Sequence, residues 1–503
     1  MKVFGRIFSR GLALVALAAL SITMTPNASR GQQETPPPPS QPRTVQFPKP
    51  VEKSLRNGLR VILVERPDVS LVSAQVLIKN GAEVDPPQLA GLADMTATLL
   101  TKGTSKRSAP EIAEAIEALG GSLDSGARWD SSTASIGVMS AKIDPAMEIL
   151  SDVVRRPVFK EEEIERLRQQ TLDELSVSLN EPGTLARIVA SRVVFGDAPY
   201  GHALKGTPES IARIKRDDIV RMHSTYYRPD NAILVIGGDI KSDAAFKLAE
   251  RLFGDWANPS AQLPSVTEAA KDVAASGKPR VVVVDMEHAG QAAVALVRTG
   301  LKRTDPDYFR GLVANSILGG GYSARLNQEI RIKRGLSYGA FSGLDVRRGV
   351  GPFLAFTQTK NESGAEVASL LMSELGRLSS DAVPDTELTP RKAALTGNFA
   401  RNLEATTGLV SYVGALALYG MNLDEINNYI NSVQAITAGD VQKFAGTRLD
   451  PKGASIVIVG NAKMFLDALR KQFPNVEVIP EKELDLNTAT LRRTGASTGA
   501  MNK

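Results

Sequence analysis

The sequence predicts an α+β fold in which one unit of roughly 220 residues is repeated in tandem. Two correspondences carry the repeat. SIARIKRDDIVRMHSTYYRPDNAILVIGGDI aligns without gaps to SVQAITAGDVQKFAGTRLDPKGASIVIVGNA, so that Ser210 and Ser432, Ile214 and Ile436, Asp218 and Asp440, Pro229 and Pro451, and Gly238 and Gly460 are each 222 positions apart. Nearer the start of each half, VLIKNGA matches ALVRTGL, and Gly91-Leu92 matches Gly311-Leu312 at 220. A third observation sets the class: strand-like apolar runs are mixed with helix-length segments, which fits a sheet with helices packed against it.

The elements follow in order. LRVILVE and LVSAQVLIK read as strands. GLADMTATLLTKGT, Gly91 to Thr104, places Leu92, Met95, Leu99 and Leu100 at helical spacing and predicts a helix of about three turns. SAPEIAEAIEALGG is a second helix, opened by a capping box of Ser108 and Glu111 and stopped by Gly120-Gly121. Asp144-Pro145 opens a third, and the charged run from Lys160 to Leu179 makes a fourth. NAILVIGGD is a buried strand.

The flanks carry their own signals. Lys2, Arg6 and Arg10 precede an apolar run from Gly11 to Met24, which reads as a secretion leader over 1–31 and is too short for a comfortable membrane span. QQETPPPPSQPR opens a proline-rich linker, 32–50. The first unit then spans 51–257, a loose connection 258–279, the second unit 280–480, and a polar tail, expected to be disordered, 481–503.

Composition excludes several functions. The 503 residues contain no cysteine, which rules out disulfides, thiolate metal sites and cysteine nucleophiles. The formal charge of +5 falls to +1 once the four basic residues of the leader are removed, so nothing points to nucleic acid. Gly319 to Gly321 lack the Gly-Lys-Ser/Thr of a phosphate loop and read as a tight turn between helices. The three histidines, His202, His223 and His288, stand too far apart to form a metal pair on a helix: His202 reads as a loop residue, His223 as a surface or partly packed one, His288 as a turn residue.

On the first predicted helix Asp94, Ala97 and Thr98 stand at i, i+3 and i+4 and share a face. The frame around them, Gly-Leu-Ala before and Lys-Gly-Thr after, resembles the active-site helix of the pitrilysin and insulinase family of zinc peptidases, which includes mitochondrial processing peptidase. The duplicated unit is itself a trait of that family, and the resemblance covers about residues 45–480. It departs at the chemistry. The family's inverted motif H-x-x-E-H has its two metal-binding histidines where this chain has Asp94 and Thr98, and its general base where this chain has Ala97. Glu174, 76 residues beyond Thr98, matches the family's third ligand. Zinc in a peptidase needs three protein ligands and an open position. Asp94 and Glu174 could hold a cation weakly, but position 97 offers no base to activate water.

The second half resembles another part of the family's machinery. LGGGYSARLNQEIRIKRGLSY matches the segment in which an Arg and a Tyr seven residues apart reach the proteolytic chamber, and Arg331 and Tyr338 have that spacing. The resemblance implies that they hold substrate and stabilise the oxyanion, since both donate to developing negative charge. By spacing alone Arg331 reads rather as a solvated helix residue and Tyr338 as a core residue of a strand; the resemblance of the surrounding frame is what favours the chamber. Some bacterial members of the family work as obligate pairs. The expectation is therefore a secreted, periplasmic, non-catalytic subunit that holds no metal and supplies Arg331 and Tyr338 to a homologous zinc-bearing partner acting on peptide or unfolded polypeptide. A scaffold with no part in catalysis is the alternative, and an enzyme using Asp94 and Glu174 with another metal is a third reading.

Overall fold

The computed structural model describes residues 46–264 and 278–493, so the leader, most of the proline-rich linker, much of the 258–279 connection and the last ten residues lie outside the described residues. In the first half, β1 (Val51–Ser54), β2 (Arg60–Glu65), β3 (Leu71–Ile78), β4 (Ser122–Ala127), β5 (Ser132–Met139) and β6 (Ala232–Gly238) form one sheet in the order β1-β2-β6-β3-β5-β4. In the second, β7 (Val281–Asp285), β8 (Ala292–Thr299), β9 (Ala340–Leu344), β10 (Pro352–Thr359), β11 (Ser455–Gly460) and β12 (Val476–Pro480) form another in the order β12-β7-β11-β8-β10-β9. From the second strand of each order onward the two sheets repeat one another. β2 and β6 pair in parallel, as do β7 and β11, and every following pair is antiparallel. The duplication read in the sequence is thus a duplication of topology.

Neither half closes its own core. Along β2 and β6, Val61, Leu63, Leu234 and Ile236 face helices of the first half. Their alternates Ile62, Val64, Ile233 and Val235 are instead covered by Leu409, Val410 and Val413 of the Thr406–Leu418 helix, which belongs to the second half. The second sheet returns the exchange: Val282, Val284, Ala293 and Val457 lie under Leu185, Ala186, Val189 and Ala190 of the Pro182–Phe195 helix of the first half. Strands covered on both faces read as continuous apolar runs, which is how β6 reads. The division into 51–257 and 280–480 therefore separates the strands but not the helices.

The flanks also differ from the sequence expectation. Within the 32–50 linker, Phe47 packs edge-on against Phe399 at 6.1 Å and exchanges backbone hydrogen bonds with the Asn427 amide. Residues 481–493, expected to be disordered, form a turn at Glu481–Glu483 and bury Leu484 and Leu491. Side chains of the first half hold this segment: Arg192 Nη2 donates to Leu486 O at 2.9 Å, and Asp197 Oδ1 accepts from Ala489 N at 2.9 Å. Two apolar anchors and side chain to backbone bonds leave no periodicity for a sequence to display. No helix among the described residues is long and apolar enough to cross a membrane.

Candidate functional site

The helix carrying Asp94 runs from Leu92 to Leu99, a turn shorter than its pattern predicts. It starts at Gly91, whose φ of +93° disfavours an L side chain and where a Cβ would meet Lys205 O at 2.9 Å. Gly206 makes the reciprocal approach, since a Cβ there would stand 2.4 Å from Ala90 O. The two glycines bring the loop containing Lys205 against the start of the helix. Asp85 fixes that start: its carboxylate accepts Gly91 N at 2.8 Å and Ala93 N at 2.9 Å, groups that a helix N-terminus leaves without intrahelical partners. Burial pushes the Asp85 carboxyl well up, against those two bonds.

Asp94 is half-buried beside the end of β4, near the Ala127 N–H. Burial raises its pKa, Lys205 and the Ala127 N–H lower it, and Glu174 raises it again. Asp94 and Glu174 are thus in electrostatic reach of one another. Glu174 is exposed on the Glu161–Leu179 helix, where Gln170 Nε2 donates to it at 3.0 Å. Thr98 is half-buried, while Ala97 is 0% exposed, so the base position is filled by a methyl packed inside. One half-buried carboxyl, one exposed carboxylate and a hydroxyl do not make a zinc donor set. Among the described residues no group of three or more His, Asp or Glu side chains could hold a metal ion.

The other pair faces outward. Arg331 lies in the wide helical turn Gln328–Ile332 with its guanidinium over the Tyr322 ring, 4.8 Å from the centroid. Its neighbours Lys333 and Arg334 both pair with Glu329, which leaves Arg331 as the cation of that turn without a carboxylate partner among the described residues. Tyr338 is 90% exposed, two residues before β9, so it belongs to no core. β4 and β9 are equivalent in the repeat, and each is the outer strand of its sheet. Asp94 thus sits beside one sheet edge, and Tyr338 stands just ahead of the other.

The histidines take no part in either group. His202 is buried, with burial and the positive Arg192 and Arg347 pulling its pKa down to about 4. His223 is partly packed, stacked on Tyr227 at 4.6 Å with Nε2 2.9 Å from Val154 O. His288, in the turn after β7, is 3.6 Å from Glu481.

Sequence reasoning missed the seam that holds the two halves together. Arg348 of the β9–β10 connection donates to Glu83, Lys79 O and Asp130 O, and its backbone N–H donates to Asp130 Oδ2 at 2.7 Å. Asp130 also accepts from Tyr200 at 2.6 Å and from Tyr419 at 3.2 Å. A buried acid beside Trp129 on a turn was the only signal available, and it does not name its partner.

Comparison with known proteins gives a consistent result. The insulinase (peptidase family M16) model matches residues 60–207, and the model of the peptidase M16 inactive domain matches residues 213–395. An uncharacterised zinc protease of Streptomyces coelicolor is 26% identical over 413 residues, 82% of this chain and 89% of the relative. Another, from Bacillus subtilis, is 26% identical over 384 residues, 75% of this chain and 91% of the relative. The crystal structure of a peptidase M16 inactive domain from Pseudomonas fluorescens superposes with a TM-score of 0.75 at 26% identity, covering 82% of this chain and 98% of that one. A protease from Helicobacter pylori shares the fold, with a TM-score of 0.77 at 23% identity over 82% of this chain and all of that one.

Proposed function

Since the chain belongs to the insulinase family of peptidases, family M16, we propose that Asp94, Ala97 and Thr98 stand where that family activates water and that the chain is the non-catalytic subunit of a secreted, heteromeric zinc endopeptidase. On this reading the chain itself carries no zinc and the partner is a homologous zinc-bearing chain. The observation that carries the proposal is the exposure of Tyr338 together with an Arg331 that has no carboxylate partner among the described residues. An exposed phenol and a guanidinium without a carboxylate partner among the described residues can donate to a peptide carbonyl and to the oxyanion that forms when water adds to it. The missing base at Ala97 leaves the water to the partner.

The test is reconstitution. The chain is mixed with a homologue that has an intact H-x-x-E-H, and cleavage of an unfolded polypeptide is followed beside size-exclusion chromatography. The expected result is a stable heteromer with turnover that neither chain shows alone. A zinc-bearing chain at full activity without this one would remove the proposal, and a heteromer formed without gain in turnover would leave a scaffold.

A further inference from the structure

A cavity of about 660 Å³ opens between the β4–β5 turn, the 345–347 segment and the Thr406–Leu418 helix. It begins one residue beyond Ala127, which lies near Asp94. Its size is that of a small-molecule site, roughly 300–1,000 Å³. Much of the wall is apolar, with Leu77, Trp129, Leu204, Val346 and Leu418 contributing.

The formal charges on the wall, Asp130 and Asp345 against Arg128 and Arg347, sum to zero, but the four groups are not equally engaged. Asp130 is satisfied by Tyr200, Tyr419 and the Arg348 N–H, and Asp345 is taken up by Nε and Nη2 of Arg347. Arg128 is exposed and has no carboxylate partner among the described residues. Arg347, clamped over Trp129 at 4.4 Å and Tyr200 at 4.7 Å, keeps a buried Nη1 with no acceptor among them. The charge of Arg128 is thus unspent, whereas Arg347 is paired and lacks an acceptor only at Nη1. Arg128 is free to move, and Arg347 is fixed.

We propose that this cavity binds a carboxylate carried on a short apolar body, with Arg128 as its counter-ion and the apolar wall as the seat of the body. Arg347 is already paired with Asp345, so the counter-ion is Arg128 alone. Two sources share this chemistry: the C-terminal residue of a peptide ending in an apolar side chain, and a medium-chain fatty acid. The site is built from this chain alone, so it stands or falls independently of any zinc-bearing partner.

Trp129 lines the cavity, and the only other tryptophan, Trp256, is buried in the first-half core, so tryptophan fluorescence reports on the site. The full chain is titrated with Ala-Ala-Leu, its C-terminal amide, octanoate and octanol. Expected are saturable quenching by at least one of the two acids, binding at least about tenfold weaker for its neutral counterpart, and a similar loss in Arg128→Gln that Arg128→Lys largely restores. Saturation by the tripeptide acid alone assigns the site to peptide ends, by octanoate alone to fatty acids, and by both to the carboxylate class. No saturation by either acid at millimolar concentration overturns the proposal. So does neutral binding as tight as acid binding, or Arg128→Gln binding like the unmodified chain.

Discussion

Arg348 of the second half reaches Glu83 of the first, with Nη1 3.0 Å from Oε1 inside a buried seam. Burial pushes the Glu83 carboxyl up to about 7, although Arg348 and the Gly81 and Asn80 donors all pull it down. A folded-state value above the ordinary 4.5 means that the folded chain keeps this proton when the unfolded chain has released it. The Glu83 contribution to stability therefore falls as pH rises from 4.5 to about 7 and is level above that. Across that window the loss is on the order of 3 kcal/mol. Urea unfolding at pH 5 and pH 7.5 of the chain and of Glu83→Gln measures it. The difference in stability between the two proteins should change with pH in the direction that favours the variant at pH 7.5, and a constant difference would place the proton elsewhere.

The helix exchange makes a second prediction. Leu185 is a first-half residue buried under the second sheet. Leu185→Ala should cost about 2–5 kcal/mol, as large-to-small changes in cores do. Its effect on hydrogen exchange should appear in β7, β8 and β11 more than in β2 and β6. Leu409→Ala should give the converse pattern, loosening β2 and β6. Protection lost only within the half that carries the substitution would mean that the halves are independent.

A third prediction concerns the metal. The purified chain should contain no stoichiometric zinc. The triple variant Asp94→His, Ala97→Glu, Thr98→His should bind it, because Glu174 already stands in electrostatic reach of position 94. Ala97 is wholly buried, so the glutamate must displace its surroundings, and the triple variant should be less stable without metal than with it. Elemental analysis and melting with and without zinc read both effects. Adding Glu174→Gln should remove the metal, and zinc retained by that fourfold variant would make the Glu174 assignment wrong.

The duplication and the main strands were legible because both rest on pattern. β2, β3 and β6 are apolar runs, and the paired glycines and prolines fix the offset. The β4–β5 hairpin was not, although Ala134, Ile136 and Val138 alternate inward on β5. Ser, Gly and Ala dilute that alternation, and small residues have weak strand preference. The helix exchange was illegible for a different reason: an apolar helix face shows that it is buried but not against which sheet. The same holds at the site. The frame Gly91-Leu92-Ala93 marked where Asp94 sits, but Lys205 reaches it through the contact of Gly91 with Gly206 across more than a hundred residues. The exposure of Tyr338 came only with the structure, since its segment suits a strand core equally well.

The central claim is that Tyr338 acts on a substrate held with a partner chain, and one measurement reaches it most directly. In the reconstituted pair, steady-state cleavage is compared between the unmodified chain and Tyr338→Phe, which removes a single donor from a side chain that packs in no core. Loss of one oxyanion donor costs about 2.7–4 kcal/mol, so kcat should fall roughly a hundredfold or more while size-exclusion shows the pair intact. Arg331→Ala should in addition weaken peptide binding, by removing a charge-assisted contact. Full turnover by an intact complex carrying both substitutions would contradict the account and leave the chain as a scaffold.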